Sequence, residues 1–541
     1  MTKAVLTRAL DRSPAADVCL IVEGCYPYVP GGVSAWIDWL MRSQPTTSFS
    51  IVALWPRPMT VPSRYARPDN LVAIDHLYLQ QFGARPVSRG VPTLSVERLG
   101  EALTRLMTIG GDRALAEVMD ECSQLRCKMS LEQFFNSPAA WQLVQDMYRR
   151  EMPYGSFLHY FWAWRALLGG LLSVLEFPLP KAKVYHTIST GYAGLFAARA
   201  RLETGRPALL TEHGIYTNER RIELLMADWV ADTIDKGHAL DDPRVDLRDL
   251  WIQAFEAYAR TCYETATDVV TLYRDNQNPQ RLLGASEAKL KVIANGIDVA
   301  RFAGIAAPPA SARPTMALIG RVVPIKDVKT FIEAAGLLKA RVPNVRAWVI
   351  GPTDEDPAYF RECQALVAEH GLEETVIFTG AVNILEYLDQ IHVIVLTSLS
   401  ESQPLVVLEA GAAGIPFVAT DVGSCREIIE GSPGEVPHLG IGGAITHLAA
   451  AGEIAEAIGD LLIDDGKRRR AGAALRARVA EHYSSEKAAS AYDQLYARLA
   501  AAPPVVTSSA APLVVTSAAA PPAAVPPVAS APLAEDHAWP V

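Results

Sequence analysis

The sequence contains no CxxC pair. Its seven cysteines (Cys19, Cys25, Cys122, Cys127, Cys262, Cys363, Cys425) are an odd number scattered over 541 residues. Neither a zinc ribbon nor a disulfide framework is encoded, and a reducing compartment is the expectation. A basic excess is lacking too. With 50 Lys+Arg against 60 Asp+Glu and a formal net charge of -10, nothing draws the chain as a whole onto nucleic acid or polybasically onto anionic lipid. No uninterrupted apolar run is long enough to span a bilayer. The most lipid-like segment, residues 157–177, holds His159, Arg165 and Glu176; each would be costly in a bilayer, and the segment reads as an amphipathic helix. Asp11, Arg12 and Asp17 interrupt the N-terminus where a secretory leader needs its apolar stretch, which predicts a cytoplasmic protein.

What is present is a chain with 50% hydrophobic residues, enough for sizeable cores. Short apolar runs alternate with segments of helical period. DVCLIVEG, AKVYHTIS, ALLTEHG and DVVTLY each precede a helix-like stretch, and a second series follows residue 314: TMALIGR, RAWVIG, TVIFTG with the helix-like NILEYLDQ after it, VIVLTSLSE and PFVATDVG. That rhythm predicts an α/β protein of two doubly wound, Rossmann-like parallel-sheet domains. The expected boundaries are 1–312 for the first, with a helix-rich insertion at about 85–180, and 313–482 for the second. A helix at 483–500 and an Ala/Pro-rich tail at 501–541 complete the chain; the tail has nine prolines and only Glu535 and Asp536 charged. Its composition predicts disorder.

Ligands of such sheets bind beyond the carboxyl ends of the strands. The loop Gly31-Gly32 lets backbone N–H groups approach a phosphate at a helix start. Gly320-Arg321 and, five residues on, Lys326 place two cations at a strand mouth, suited to a diphosphate leaving group. Glu401 ends another strand, and Glu409 lies in the following apolar helix, where a carboxylate can accept both hydroxyls of a ribose. Arg321, Lys326 and a helix N-terminus already meet the charge of a diphosphate, so no metal or other cofactor is expected. Asp241-Asp242 and Asp464-Asp465 read as surface turns.

Gly320-Arg321, Lys326-Asp327 and the Glu401/Glu409 pair together resemble the donor site of the fourth family of retaining glycosyltransferases, of GT-B fold. The runs EGCYPYVPGGVSAW, TEHGIYTNER and NGID are similar to the cytoplasmic glycosyltransferases of Pel-type exopolysaccharide systems. The resemblance covers about residues 15 to 500. It implies that Arg321 and Lys326 hold the donor diphosphate, Glu409 the ribose and Glu401 the transferred sugar, that Gly31-Gly32 approach the phosphates, and that His213 touches the sugar. Gly423-Ser424-Cys425 replaces a glycine pair common in that family. The implied activity is transfer of a hexose or N-acetylhexosamine from UDP-glucose or a UDP-N-acetylhexosamine to a polysaccharide acceptor, with inner-membrane Pel synthase proteins as partners. Two alternatives stay open on sequence grounds: a non-catalytic UDP-sugar-binding subunit of a synthase complex, and another GT-B enzyme such as a sugar-nucleotide epimerase.

Overall fold

A computed structural model describes residues 15–58, 61–80, 93–126, 133–134, 136–226, 246–309 and 312–505. Cys127, Asp241-Asp242 and tail residues 506–541 lie outside them.

The first domain runs β1 (Ala16–Glu23), α1 (Gly32–Arg42), β2 (Phe49–Trp55) and β3 (Leu71–Tyr78), then the helices α2 (Thr93–Thr108), α3 (Asp112–Arg126), α4 (Pro138–Glu151) and α5 (Phe157–Glu176). It continues with β4 (Ala182–Thr187), α6 (Tyr192–Thr204), β5 (Ala208–Glu212), α7 (Tyr216–Met226), α8 (Leu247–Thr265), β6 (Asp268–Thr271), α9 (Gln277–Leu282) and β7 (Leu290–Val292). The second domain runs β8 (Thr315–Ile319), α10 (Val328–Lys339), β9 (Arg346–Ile350), α11 (Pro357–Glu369), β10 (Val376–Gly380), β11 (Val393–Leu396), α12 (Leu405–Ala413), β12 (Phe417–Thr420), α13 (Cys425–Glu430), β13 (Gly443–Thr446) and α14 (Ala451–Ile463). Two helices follow, α15 (Asp465–His482) and α16 (Ser485–Ala501).

Each domain is a parallel sheet, ordered β3-β2-β1-β4-β5-β6-β7 and β10-β9-β8-β11-β12-β13. The central strands are buried on both faces, which is why they read as continuous apolar runs: Leu20, Ile21 and Val22 in β1 and Val393, Ile394 and Val395 in β11 are all 1% exposed or less. Local chemistry sets the helix starts. Ser156 caps α5, Asp356 caps α11, and Asp246 with Asp249 forms a reciprocal capping box on α8. Asp464-Asp465 is a helix start rather than a surface turn; the Asp464 carboxylate accepts the Lys467 N–H at 2.8 Å. The stretch NILEYLDQ, which the sequence places as a helix after β10, forms two separate 3-10 turns, Ile384–Glu386 and Leu388–Gln390. Among the described residues no helix is long and apolar enough to cross a membrane.

Helix α16 packs on the first sheet although it follows the second domain. Tyr492, Leu495, Tyr496 and Leu499 share a core with Val18, Leu20 and Leu40. Tyr496 OH meets His186 Nδ1 at 2.7 Å, and His186 Nε2 meets Thr211 Oγ1 at 2.9 Å. The two chain crossings between domains run side by side, with Ile297 N–H donating to Tyr483 O at 3.0 Å and Ser485 N–H to Ile297 O at 2.9 Å.

Candidate functional site

Strand order reverses between β1 and β4 in one sheet and between β8 and β11 in the other. At such switch points adjacent loops leave in opposite directions and open a crevice. In the second domain, β8 runs into Gly320-Arg321 and a short 3-10 turn, Pro324–Lys326. Asp327, at φ 45°, ends that turn and caps α10, accepting the Thr330 hydroxyl at 2.6 Å. Thr397, just past β11, faces the Lys326 and Asp327 carbonyls with its hydroxyl at 2.8 and 2.9 Å. The lysine loop is thereby locked to the neighbouring strand.

Lys326 Nζ lies 2.5 Å from Glu401 Oε1, with side chains 23% and 15% exposed. Arg321 Nη1 is 2.5 Å from Glu355 Oε1, and both side chains are about half exposed. Each cation is therefore paired with one carboxylate. Glu409 sits in the second turn of α12, half-buried, and accepts no hydrogen bond from any described residue. Burial raises its pKa above the usual glutamate value, and Arg301 offsets part of that rise. Gly423 lies against the Glu401–Ser402 backbone at φ 53°; a Cβ there would stand 2.0 Å from Ser402 O, so glycine is required.

The first domain contributes the ends of β1, β4 and β5. His213, following β5, packs nearly perpendicular to Trp36 with ring centroids 4.5 Å apart. Neither of its ring nitrogens has a partner among the described residues, and burial lowers its pKa to about 4, leaving it neutral at pH 7. Ser189 Oγ and Thr190 Oγ1, just past β4, are likewise buried without partners. Polar atoms in that condition are costly unless a ligand meets them. Glu23, which ends β1, accepts the Ala193 N–H at 3.2 Å and the Tyr216 hydroxyl at 3.3 Å, and burial raises its pKa. Glu212 accepts the Tyr263 hydroxyl at 2.7 Å and the Gln280 side-chain N–H at 2.8 Å, and burial pushes it up to about 7.

The two halves meet directly. Ser402 donates its hydroxyl to the carbonyl of His213, and Asn295 N–H donates to Gln403 Oε1 at 2.7 Å. Of the residues singled out from sequence, the structure thus joins Lys326 with Glu401, and His213 with the Glu401 loop. It puts Gly320 at the root of the lysine loop and Glu409 on the helix behind it. Gly31 and Gly32 start α1 with open space around both. Glu23, Trp36, Glu355 and Ser402 escape sequence reasoning as site residues. The only available signal is an acid ending an apolar strand, at Glu23.

Comparison with known proteins fits this geometry. Residues 16–288 match the family model described as "Domain of unknown function (DUF3492)", and residues 313–464 match "Glycosyl transferases group 1". D-inositol 3-phosphate glycosyltransferase of Xylanimonas cellulosilytica is 27% identical over 263 residues, 46% of this chain and 58% of that protein. The chain therefore spans less than two thirds of that relative. Alpha-maltose-1-phosphate synthase of Mycolicibacterium smegmatis is 24% identical over 59% of this chain and 80% of its own length. Among solved structures, Anabaena HepE in complex with UDP superposes with a TM-score of 0.54 at 14% identity, over 89% of this chain and 100% of that one. The paired sheets are thus a GT-B fold, and the chain belongs to the DUF3492 family, followed by a domain of the Glycosyl transferases group 1 family.

Proposed function

We propose that the protein is a retaining glycosyltransferase that moves a hexose or N-acetylhexosamine from a UDP-sugar to a growing exopolysaccharide, the role of PelF in the Pel system. The Lys326–Glu401 pair at the β8/β11 switch point, 2.5 Å apart with the unpartnered Glu409 on the helix behind, carries this reading. Lys326 is thereby assigned to the diphosphate, Glu401 to the sugar and Glu409 to the ribose. Crystallisation of the fold neighbour HepE with UDP supports the donor class.

In this reading Glu409 accepts the ribose hydroxyls, and Arg321 and Lys326 leave their carboxylates to meet the diphosphate. Glu401 and His213 hold the sugar from opposite domains, and Gly31-Gly32 approach the phosphates. The acceptor oxygen bonds to the anomeric carbon on the face from which UDP departs. The bond to the β-phosphate oxygen breaks, and the acceptor proton passes to that oxygen. Charge growing on the departing UDP is met by Lys326, so the chain works by positioning and electrostatics. No divalent metal is needed for that. We place the enzyme in the cytoplasm, with inner-membrane Pel synthase proteins as partners.

The test is release of UDP from a panel of UDP-hexoses and UDP-N-acetylhexosamines, with and without EDTA, for the parent and Lys326→Ala. Turnover that survives EDTA and falls roughly a hundredfold in kcat in the variant is expected, equivalent to a contact of about 3 kcal/mol in the transition state. Binding of UDP-sugars without any turnover would make the protein a donor-binding subunit instead.

A further inference from the structure

A cavity of about 580 Å³ opens at the end of the second sheet opposite the crevice just described. Ile391-His392 and Ile415-Pro416, which line it, lead into β11 and β12, so it lies at the amino-terminal ends of those strands. Ile305, Pro308, Ile415 and Ala477 give it an apolar wall. Three arginines of α15, Arg468, Arg469 and Arg476, line it, and no acidic residue is among its described lining residues.

The charges there do not cancel. Arg468 and Arg469 share the single carboxylate of Asp465, with Arg469 Nε 2.7 Å from its Oδ2. Arg476 donates to the carbonyl of Ala413 at 2.5 Å and has no carboxylate partner among the described residues. His392 adds no charge: its Nδ1 accepts the Thr315 N–H at 3.3 Å, and burial together with the nearby Arg468 lowers its pKa to about 4. Three cations against one acid form a local positive excess in a chain of net charge -10. Gly414, at φ 73°, makes room for it, since a Cβ there would lie 2.6 Å from Arg476 Nη2. An arginine over a helix C-terminus explains Arg476 alone. It does not explain why two further arginines line the same apolar-walled space.

We propose that this cavity is a second anion site that takes a phosphate ester bearing an apolar body. The phosphate oxygens engage the forked donors of Arg469 and Arg476, and the apolar body packs on the Ile305, Pro308 and Ile415 wall. The site is separate from the donor reading and does not rest on it.

Calorimetric titration of the full chain with phenyl phosphate tests the assignment, with inorganic phosphate as the probe lacking an apolar body. Phenyl phosphate should bind at least tenfold more tightly than inorganic phosphate. Arg476→Ala and the exposed-site variant Arg469→Glu should each weaken it at least tenfold, whereas Lys326→Ala should leave it unchanged. Sedimentation with phosphatidylglycerol vesicles separates the sources: capture lost in Arg469→Glu assigns the ester to a lipid headgroup, and absence of capture assigns it to a free metabolite. No phenyl phosphate binding, or binding that both arginine variants retain, overturns the proposal.

Discussion

Glu401 Oε1 stands 2.5 Å from Lys326 Nζ, joining the loop after β11 to the loop after β8 across the reversal of strand order. The pair is mostly buried, so the charge of Glu401 is felt by anything that approaches Lys326. Under the proposed donor site, the carboxylate competes for the lysine that would meet the diphosphate.

Glu401→Gln should therefore separate nucleotide affinity from transfer. UDP carries no sugar for Glu401 to hold, so removing the negative charge frees Lys326 and should tighten UDP binding about three- to tenfold, roughly 1 kcal/mol. Sugar transfer should fall ten- to a hundredfold, because charge-assisted hydrogen bonds to the sugar, about 1.5–3 kcal/mol, are lost. Calorimetry beside steady-state kinetics checks both signs.

A stability signature is expected at Glu212. Its folded pKa, about 7, lies above the ordinary glutamate value of 4.5 because burial disfavours the charged form. The protonated form is the stable one, so stability from this group is present below pH ~4.5 and is lost as pH rises through about 7. Glu212→Gln keeps an oxygen for the Tyr263 and Gln280 donors and carries no charge. It should melt near the parent at pH 5 and above it at pH 8, measured by thermal denaturation across that range.

Tyr496→Phe should loosen α16 from the first sheet. The hydroxyl removed is 2.7 Å from His186 Nδ1, and His186 is fully buried. Leaving that nitrogen unpaired costs about 1–3 kcal/mol. The expected result is a lower unfolding midpoint in urea with an unchanged m-value; a midpoint equal to the parent's would show that the helix is held by its apolar face alone.

Much of this architecture is legible in the sequence because the buried parallel strands leave apolar runs that end in glycine or charge, as TMALIGR does before Lys326 and VIVLTSLSE does at Glu401. Strands β2 and β3 stand out less. Half-buried Asp75 and His76 interrupt the pattern of β3, and the described residues between β2 and β3 form no helix. Asn383 caps a 3-10 turn where the apolar period of NILEYLDQ suggests a helix, so local capping outweighs periodicity there. The site is legible where it is local, as in Arg321 to Lys326 and Glu401 to Glu409. It is hidden where it is assembled from afar: Trp36 meets His213, Ser402 meets the His213 carbonyl, and Glu355 meets Arg321 only once the sheets have formed.

Calorimetric titration of UDP into the parent and Glu409→Ala tests the central claim, that the crevice at the β8/β11 switch point is the donor site. Glu409 is half-buried and accepts no hydrogen bond from a described residue, so its removal should leave the fold intact while ribose binding loses about 1.5–3 kcal/mol. The account predicts saturable UDP binding by the parent and a Kd raised roughly ten- to a hundredfold in the variant. Equal UDP affinity in both proteins, at unchanged melting temperature, would contradict it.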